Sequence, residues 1–388
     1  MRKYIVLAHR YLGLAIGGLL LISGLTGSAI VFNRDIDGWL NPDLLRVAPQ
    51  AERASLHTLM RNVREAAPDR QAGALFLPEE PDRAVEVWFR EDDWRAYADP
   101  YTGEVLGVRQ ATASLMGFLV DLHMHLLSGE TGERIMGWSG LGGIVLALLG
   151  LWLWWPKRSR WRQAFSIKWQ AAPVRVWLDA HKVTGALACA FLLLTAATGA
   201  SLALYDIVTE PALVALTGEG TRRPAPRSAG GAGSDASLDP MLARAAAVFP
   251  QGRITRINLP AQPGDAVLVR MRLPGEAHQF GRTFLWFDRY DGSLLRVDNA
   301  LEANLATRVQ SWLYPLHTGF YGGLPTRGLQ VLIGLSLALL SASGGWLWWK
   351  GHRSRAAARK RSGRERPTAS SGSDIRPGGA PEKTGIVR

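Results

Sequence analysis

Residues 9–27 read HRYLGLAIGGLLLISGLTG, and 172 residues later positions 181–199 read HKVTGALACAFLLLTAATG. In both copies a His is followed by a basic residue, with one Gly four positions on and another eighteen positions on. An α-helix turns about 100° per residue, so eighteen residues close about five turns. His9, Gly13 and Gly27 therefore share one helix face, as do His181, Gly185 and Gly199. Each helix presents an imidazole near one end and backbone bare of side chains at two levels below it. Such a stripe suits a flat, bulky ligand, and the two helices read as walls of a haem-binding membrane bundle.

The rest of the composition agrees with a membrane setting. Four uncharged, mostly apolar stretches, 11–33, 135–155, 183–205 and 328–349, each have the roughly 20 residues needed to span a hydrocarbon core of about 30 Å. The first is too long for the apolar part of a signal peptide and no clear A-x-A site follows, so it reads as an uncleaved anchor. The net charge of +12 invites a nucleic-acid reading, but its location argues otherwise. Lys and Arg crowd into 1–10, 156–178 and 350–388, while the remainder is net acidic. That is the positive-inside pattern. It places both termini and the 156–178 loop in the cytoplasm and the two long loops outside. The basic tail reads as a topology signal and a disordered, lipid-facing segment. The single cysteine, Cys189, excludes an internal disulfide and a C-x-x-C metal or redox motif, and C-x-x-C-H is absent. Haem would then be held noncovalently, by His.

The repeat reaches beyond the first stretch. Spans two and four end Trp152-Leu-Trp-Trp155 and Trp346-Leu-Trp-Trp349, and twenty-nine residues before each stands a His, His123 and His317. The chain is expected to divide into an N-terminus and first span (1–33), an external domain with an amphipathic lead-in helix (34–133) and a second span (134–155). A cytoplasmic loop (156–178), third span (179–205), second external domain with linker and lead-in helix (206–323), fourth span (324–349) and basic tail (350–388) follow. Spans one and three both enter from the cytoplasm, so the halves are parallel repeats about an axis along the membrane normal. Each external loop is expected to have its own small α+β fold. The first has a helix at 55–66 and strands at 84–90, 94–98 and 105–108. The second has a helix at 240–249 and strands at 253–258, 266–272, 283–288 and 294–297. Residues 222–237, rich in Pro, Gly and Ser, read as a mobile linker.

Four histidines carry the chemistry. His9 and His181 open helices on the cytoplasmic side; His123 and His317 precede helices on the outer side. Each layer receives one imidazole from either half, and two imidazoles facing across a pseudo-twofold axis suit one iron in a flat macrocycle. Two haem b groups are expected, an inner one on His9 and His181 and an outer one on His123 and His317. Gly13 and Gly185 would leave room beside the inner haem, Gly27 and Gly199 beside the outer. One such His alone is better explained as a helix-boundary residue, and the glycines as packing positions; two matched pairs favour ligands. Asp121 and Asp179 stand where they could support a ligand His. Arg10 and Lys182 either neutralise haem propionates or serve topology, and Arg134 and Arg327 offer the same choice. His57, His278 and His352 read as solvated. No G-x-G-x-x-G follows a strand, so the electron donor is another molecule, a cytoplasmic reductase or a quinol.

At these residues the chain resembles the PepSY-associated transmembrane helix family. The motifs are His9-Arg-Tyr-Leu-Gly13, Leu25-Thr-Gly27, Leu122-His123 with Leu126-Leu127, Gly129-Glu-Thr-Gly132, His181-Lys-Val-Thr-Gly185, His317-Thr-Gly319 with Tyr321-Gly-Gly323, and the two Trp endings. They cover both halves. Length and layout look most like FoxB-type ferrisiderophore reductases of bacterial inner membranes. The resemblance implies a four-helix transmembrane bundle built from two parallel repeats, with two small α+β PepSY-like periplasmic loop domains. It also implies an enzyme that passes electrons through haem to a periplasmic ferric siderophore, of ferrioxamine type as a first guess, and frees iron as Fe(II). His123 falls on the family motif and His125 does not. Substrate contacts are expected from His125, Tyr314, Phe320 and Tyr321. The alternatives are a haem conduit to a partner oxidoreductase, and a non-redox scaffold or peptidase regulator that binds through its loops.

Overall fold

The structure, a computed structural model, describes residues 1–90, 93–221, 223–229 and 235–364. Four helices are long and apolar enough to cross a membrane: α1 (Arg2–Ile30), α6 (Gly129–Trp154), α8 (Pro173–Ala203) and the apolar part of α12 (Gly323–Arg364). All four begin before the apolar stretches do, because polar first turns complete each helix ahead of its lipid-facing part. α12 also runs on past the Trp run, so the basic tail opens as helix rather than as a disordered segment; residues 365–388 lie outside the described residues.

The spans pack in a ring, α1 between α6 and α12, and α8 between the same two. Small residues make the seams. A methyl at Gly24 would lie 2.5 Å from the Gly334 carbonyl, and Ser28 Oγ donates to Val331 O at 3.1 Å. On the other seam a methyl at Gly137 would meet Leu204 at 2.5 Å. Apolar solvent gives no hydrophobic drive between helices, so close backbone approach and such hydrogen bonds supply the association.

Beside one end of the bundle lie α2 (Asn33–Leu40), α3 (Pro42–Leu45), α5 (Leu115–His125), α9 (Glu210–Thr217) and α11 (Leu305–Thr318). A short helix, α7 (Trp161–Ala164), follows α6. α5 and α11 are the lead-in helices. Ser114 caps α5 by accepting from Gly117 N, and Asn304 caps α11 by accepting from Thr307 N. After α5 the chain turns through Leu126 and Leu127, both at positive φ, whereas Gly319 does this after α11. Leu in that conformation costs about 1–2 kcal/mol.

The two loops do not fold separately. Strands β1 (Ala72–Phe76), β2 (Val85–Phe89), β3 (Trp94–Ala98) and β4 (Val105–Gln110) come from the first. β5 (Arg253–Asn258), β6 (Val267–Arg272), β7 (Thr283–Phe287) and β8 (Leu294–Asp298) come from the second. They form one antiparallel sheet in the order β4-β3-β2-β1-β5-β6-β7-β8. The join is β1 on β5, with Leu75 opposite Ile257. A four-stranded meander would leave β1 or β5 as an open edge, and pairing them removes both edges. α4 (Leu56–Ala66) and α10 (Leu238–Val248) cover one face and close a core around Leu59, Val63, Leu75, Val87, Met241, Ile257 and Leu285. The described part of the linker is tied down. Arg227 bridges Asp265, Ser228 N donates to Gly264 O, and Ala229 N donates to Asp288.

Candidate functional site: two facing imidazole pairs

His9 on α1 and His181 on α8 lie diagonally across the ring and face one another, ring centroids 6.4 Å apart. His123 and His317 enter from α5 and α11 at the sheet end and face one another at 6.3 Å. The two pairs expected from the sequence are therefore the two pairs found. They border one continuous cavity of about 1710 Å³ that runs the length of the bundle. Single small-ligand pockets are about 300–1,000 Å³, so this space exceeds one such site.

The hydrogen bonds fix which nitrogen of each ring is free. His9 Nδ1 lies 3.1 Å from Leu146 O, and His317 Nδ1 lies 3.1 Å from Thr195 O. A carbonyl only accepts, so both Nδ1 atoms carry hydrogen. His123 Nδ1 lies 3.1 Å from Thr26 Oγ1, whose own proton goes to Ile22 O at 2.7 Å. His317 has the same arrangement, with Thr198 Oγ1 at 3.3 Å and its proton on Leu194 O. His181 Nδ1 meets Ser343 Oγ at 2.9 Å, and that hydroxyl donates to Leu340 O. Thr26, Thr198 and Ser343 are buried. In all four rings Nδ1–H is spent on the protein and Nε2 keeps its lone pair, the tautomer of a metal-ligating histidine held by an outer partner. Burial and the neighbouring His317 pull His123 down to about 4, and burial lowers His317 as well. Both are neutral near pH 7.

Two imidazoles bound to opposite sides of one iron, with metal–nitrogen bonds of about 2.0 Å and ring centres about 1.1 Å beyond the nitrogens, have centroids about 6.2 Å apart. The observed 6.4 and 6.3 Å fit. Among the described residues no group of three or more His, Cys, Asp or Glu is placed to hold a lone metal ion.

All four expected glycines border the cavity, and two of them have a further contact. Gly27 and Gly199 make room for the imidazole ring itself. A methyl there would sit 2.9 Å from His123 Cε1 and 2.7 Å from His317 Cε1. Gly150, on α6, does the same for His9 at 3.0 Å, and no signal in the two quoted stretches pointed to it. Gly13 and Gly185 border the cavity and leave space opposite Leu146 and Leu340.

Several neighbours are reassigned. Asp121 bonds His125 at 2.8 Å rather than His123, and Asp179 pairs with Arg175 rather than supporting His181. The ring-holding role falls to hydroxyls and carbonyls, which have no distinctive sequence signature. Arg10 and Lys182 line the cavity at the end away from the sheet. Arg134 is paired with Glu130, and Arg327 with Asp35. Tyr314, Phe320 and His125 border the cavity, whereas Tyr321 is exposed and outside its lining. His278 is not solvated. It is 7% exposed, stacks on Tyr314 at 5.2 Å and accepts from Phe280 N. Burial, then Arg270 and Arg282, push it down to about 3. His57 is exposed, as expected.

Residues 6–351 match the family described as the PepSY-associated TM region. An uncharacterized protein of Pseudomonas aeruginosa is 28% identical over 63% of this chain, and the match spans 66% of that relative, just under two thirds of its length.

Proposed function

The chain belongs to the PepSY-associated TM family, and from that premise we propose that it is a b-haem protein of the bacterial inner membrane. It moves electrons across the bilayer and reduces ferric siderophore on the outer side, as a FoxB-type ferrisiderophore reductase would. The observation that carries this reading is the two imidazole pairs, each with Nε2 free and centroids at 6.4 or 6.3 Å. His9 and His181 would hold one haem, His123 and His317 the other. Haem supplies reversible one-electron chemistry, with a potential tuned by its axial ligands.

The chain's own residues do the rest. Thr26, Thr198, Ser343 and the Leu146 carbonyl hold the rings by Nδ1–H and make Nε2 more basic. Arg10 and Lys182 stand at the far mouth, where they can neutralise propionate carboxylates. Leu20, Leu192 and Ile333 line the space between the pairs and exclude water. On this reading the halves are two parallel repeats, the sheet lies in the periplasm, and both termini lie in the cytoplasm with the 156–178 loop. Reduction of Fe(III) weakens its hold on hard oxygen donors and frees the metal. The electrons come from a cytoplasmic reductase or a quinol.

The test is an absorption spectrum of the purified protein with a haem-to-protein ratio, followed by mixing the reduced form with ferric siderophore. Two haems per chain and reoxidation by the chelate are expected. A colourless protein from haem-replete cells would turn the reading toward a scaffold. Haem without reoxidation would turn it toward a conduit to a partner.

A further inference from the structure

One wall of the cavity takes no part in holding the imidazole pairs. Where the cavity reaches the sheet it is bordered by Phe76, Trp88, Arg95 and Phe280, with Arg34 of α2 at its side. Strand pairing sets a row on the face turned away from α4 and α10. Trp88 lies opposite Arg95, Phe76 opposite Arg256, Arg256 opposite Arg270, and Arg270 opposite Phe284. Rings and cations interleave along it. Phe76 stacks on Trp88 at 4.2 Å, and the Arg95 guanidinium lies 4.0 Å over the Trp88 ring. Arg256 lies 4.6 Å over Phe76, and Arg34 lies 4.7 Å over Phe280.

Among the described residues the ion pairs along this wall leave some of its arginines without a counter-ion. Arg95 has Glu86 at 3.6 Å, and Arg109 and Arg83 are paired with Asp37 and Asp35. Of the other carboxylates bordering the cavity, Asp93 accepts from Thr112 N, Asp121 bonds His125 on α5, and Glu133 stands on α6 at the bundle rim. Among the described residues no carboxylate lies within ion-pair distance of Arg34, Arg256 or Arg270, and Arg256 Nε is buried without a hydrogen-bond partner. Arg270 is drawn down to about 9 by burial and then by Arg282 and Arg256. These arginines are half-buried; stacking on a ring contributes only about 0.5–2 kcal/mol each, and Arg270 is also held by the Gly281 carbonyl. Planar guanidinium groups held unpaired over aromatic plates, beside open space, match planar anions.

We propose that this wall is the subsite for the iron chelate and that it selects anionic chelates with aromatic or carboxylate donor arms over cationic hydroxamate chelates of ferrioxamine type. The proposal rests on the reductase reading. Arg34 borders the cavity and faces the anionic donor oxygens, Arg256 adds its charge from its place over Phe76, and the arms stack against Trp88 and Phe280. The ferrioxamine-type substrate suggested by family resemblance is then disfavoured by charge.

The test separates binding from electron transfer. The full-length protein in phospholipid nanodiscs is titrated with redox-inert gallium(III) complexes, a tris-catecholate trianion and a trihydroxamate monocation. Binding is followed by tryptophan fluorescence and calorimetry. The trianion is expected to bind at least about tenfold more tightly than the monocation, with the preference shrinking as salt is raised. Arg34→Gln and Arg256→Gln should each weaken the trianion by about tenfold or more and leave the monocation unchanged. Arg34→Lys should fall between, because it keeps charge and loses the planar fork. Should Arg256→Gln fail to fold, the Arg34 series decides alone. Equal affinities, a preference for the monocation, no binding of either, or Arg34 variants with unaltered affinity would overturn the proposal. Gallium trianion binding without any reoxidation of reduced protein by the ferric form would leave the subsite standing and remove the reductase reading. Equally fast reoxidation by subsaturating anionic and cationic ferric chelates would do the reverse.

Discussion

Adding one methyl group at Gly199 challenges the imidazole pair at its tightest point. The new Cβ would lie 2.7 Å from His317 Cε1, well inside ordinary carbon contact. The ring cannot swing away freely, because Nδ1 is held by Thr195 O at 3.1 Å and Thr198 Oγ1 at 3.3 Å. Relief therefore costs either overpacking strain of about 1–3 kcal/mol or those hydrogen bonds, each about 0.5–1.5 kcal/mol. A loss of about 1–3 kcal/mol is a factor of about 5–150 in ligand affinity. The same substitution elsewhere gives a graded series, with clearance of 2.9 Å at Gly27, 3.0 Å at Gly150, 3.5 Å at Gly344 and nothing within 4 Å at Gly328, which lies outside the cavity lining. Haem content by pyridine haemochrome and absorption spectra are measured for each alanine variant. Gly199→Ala and Gly27→Ala should lose the haem at the sheet end, and Gly150→Ala the other. Gly344→Ala should be mild and Gly328→Ala neutral or slightly stabilising. Full haem content and an unaltered spectrum in Gly199→Ala, or loss in Gly328→Ala, would refute the reasoning.

Other consequences are equally direct. His123→Ala or His317→Ala should halve the haem-to-protein ratio and leave the His9/His181 haem spectrum intact; full retention would break the pairing. Thr26→Val keeps the volume and removes a hydroxyl acceptor for His123 Nδ1–H, so haem affinity should drop by roughly 10–100-fold and the midpoint potential of one haem should move; Thr198→Val should cost less, because Thr195 O still accepts from His317 Nδ1 at 3.1 Å, and spectroelectrochemical titration reads both. His278 is held near 3, below its ordinary 6.5, so its contribution to stability is present above about pH 6.5 and is lost as pH falls toward 3. The loss is at most about 1.4 kcal/mol per pH unit, and His278→Gln should flatten melting temperature against pH across that window. Leu127→Gly should raise thermal stability by about 1 kcal/mol, since Leu127 is 49% exposed and sits at φ 57°; no rise would mean that its side chain offsets the backbone strain.

Much of the site was legible in the sequence because two kinds of period were present. The repeat spacing of 172 residues between His9 and His181, and the twenty-nine residues from His123 and His317 to their Trp runs, matched four imidazoles in pairs. Strands β3 and β5 were likewise legible to the residue, since each gathers aromatic or β-branched residues in a short run bounded by turn residues. β1 was not: its sequence AGALF has small residues and no β-branched one, so nothing local marks it as a strand. Its pairing with β5, which merges the loops into one sheet, is a contact between residues about 180 positions apart. The partners of the imidazoles were missed for a related reason. A buried threonine on a span looks like any small packing residue, and only the angle of α5 and α11 to α1 and α8 brings Nδ1 to it.

What the chain determined by itself is the ladder of lengths and intervals: four apolar runs long enough to cross a bilayer, four histidines at matched positions, and a helical period that puts each glycine beneath its imidazole. Local chemistry suffices for these, because helix pitch and hydrocarbon thickness are fixed before any tertiary contact forms. Tertiary structure alone decided that Nδ1 is spent and Nε2 free, that Asp121 serves His125, and that Arg34, Phe76, Trp88 and Arg95 border the cavity. Those outcomes depend on where one helix or strand sits against another, and that placement comes from packing between segments far apart in the chain.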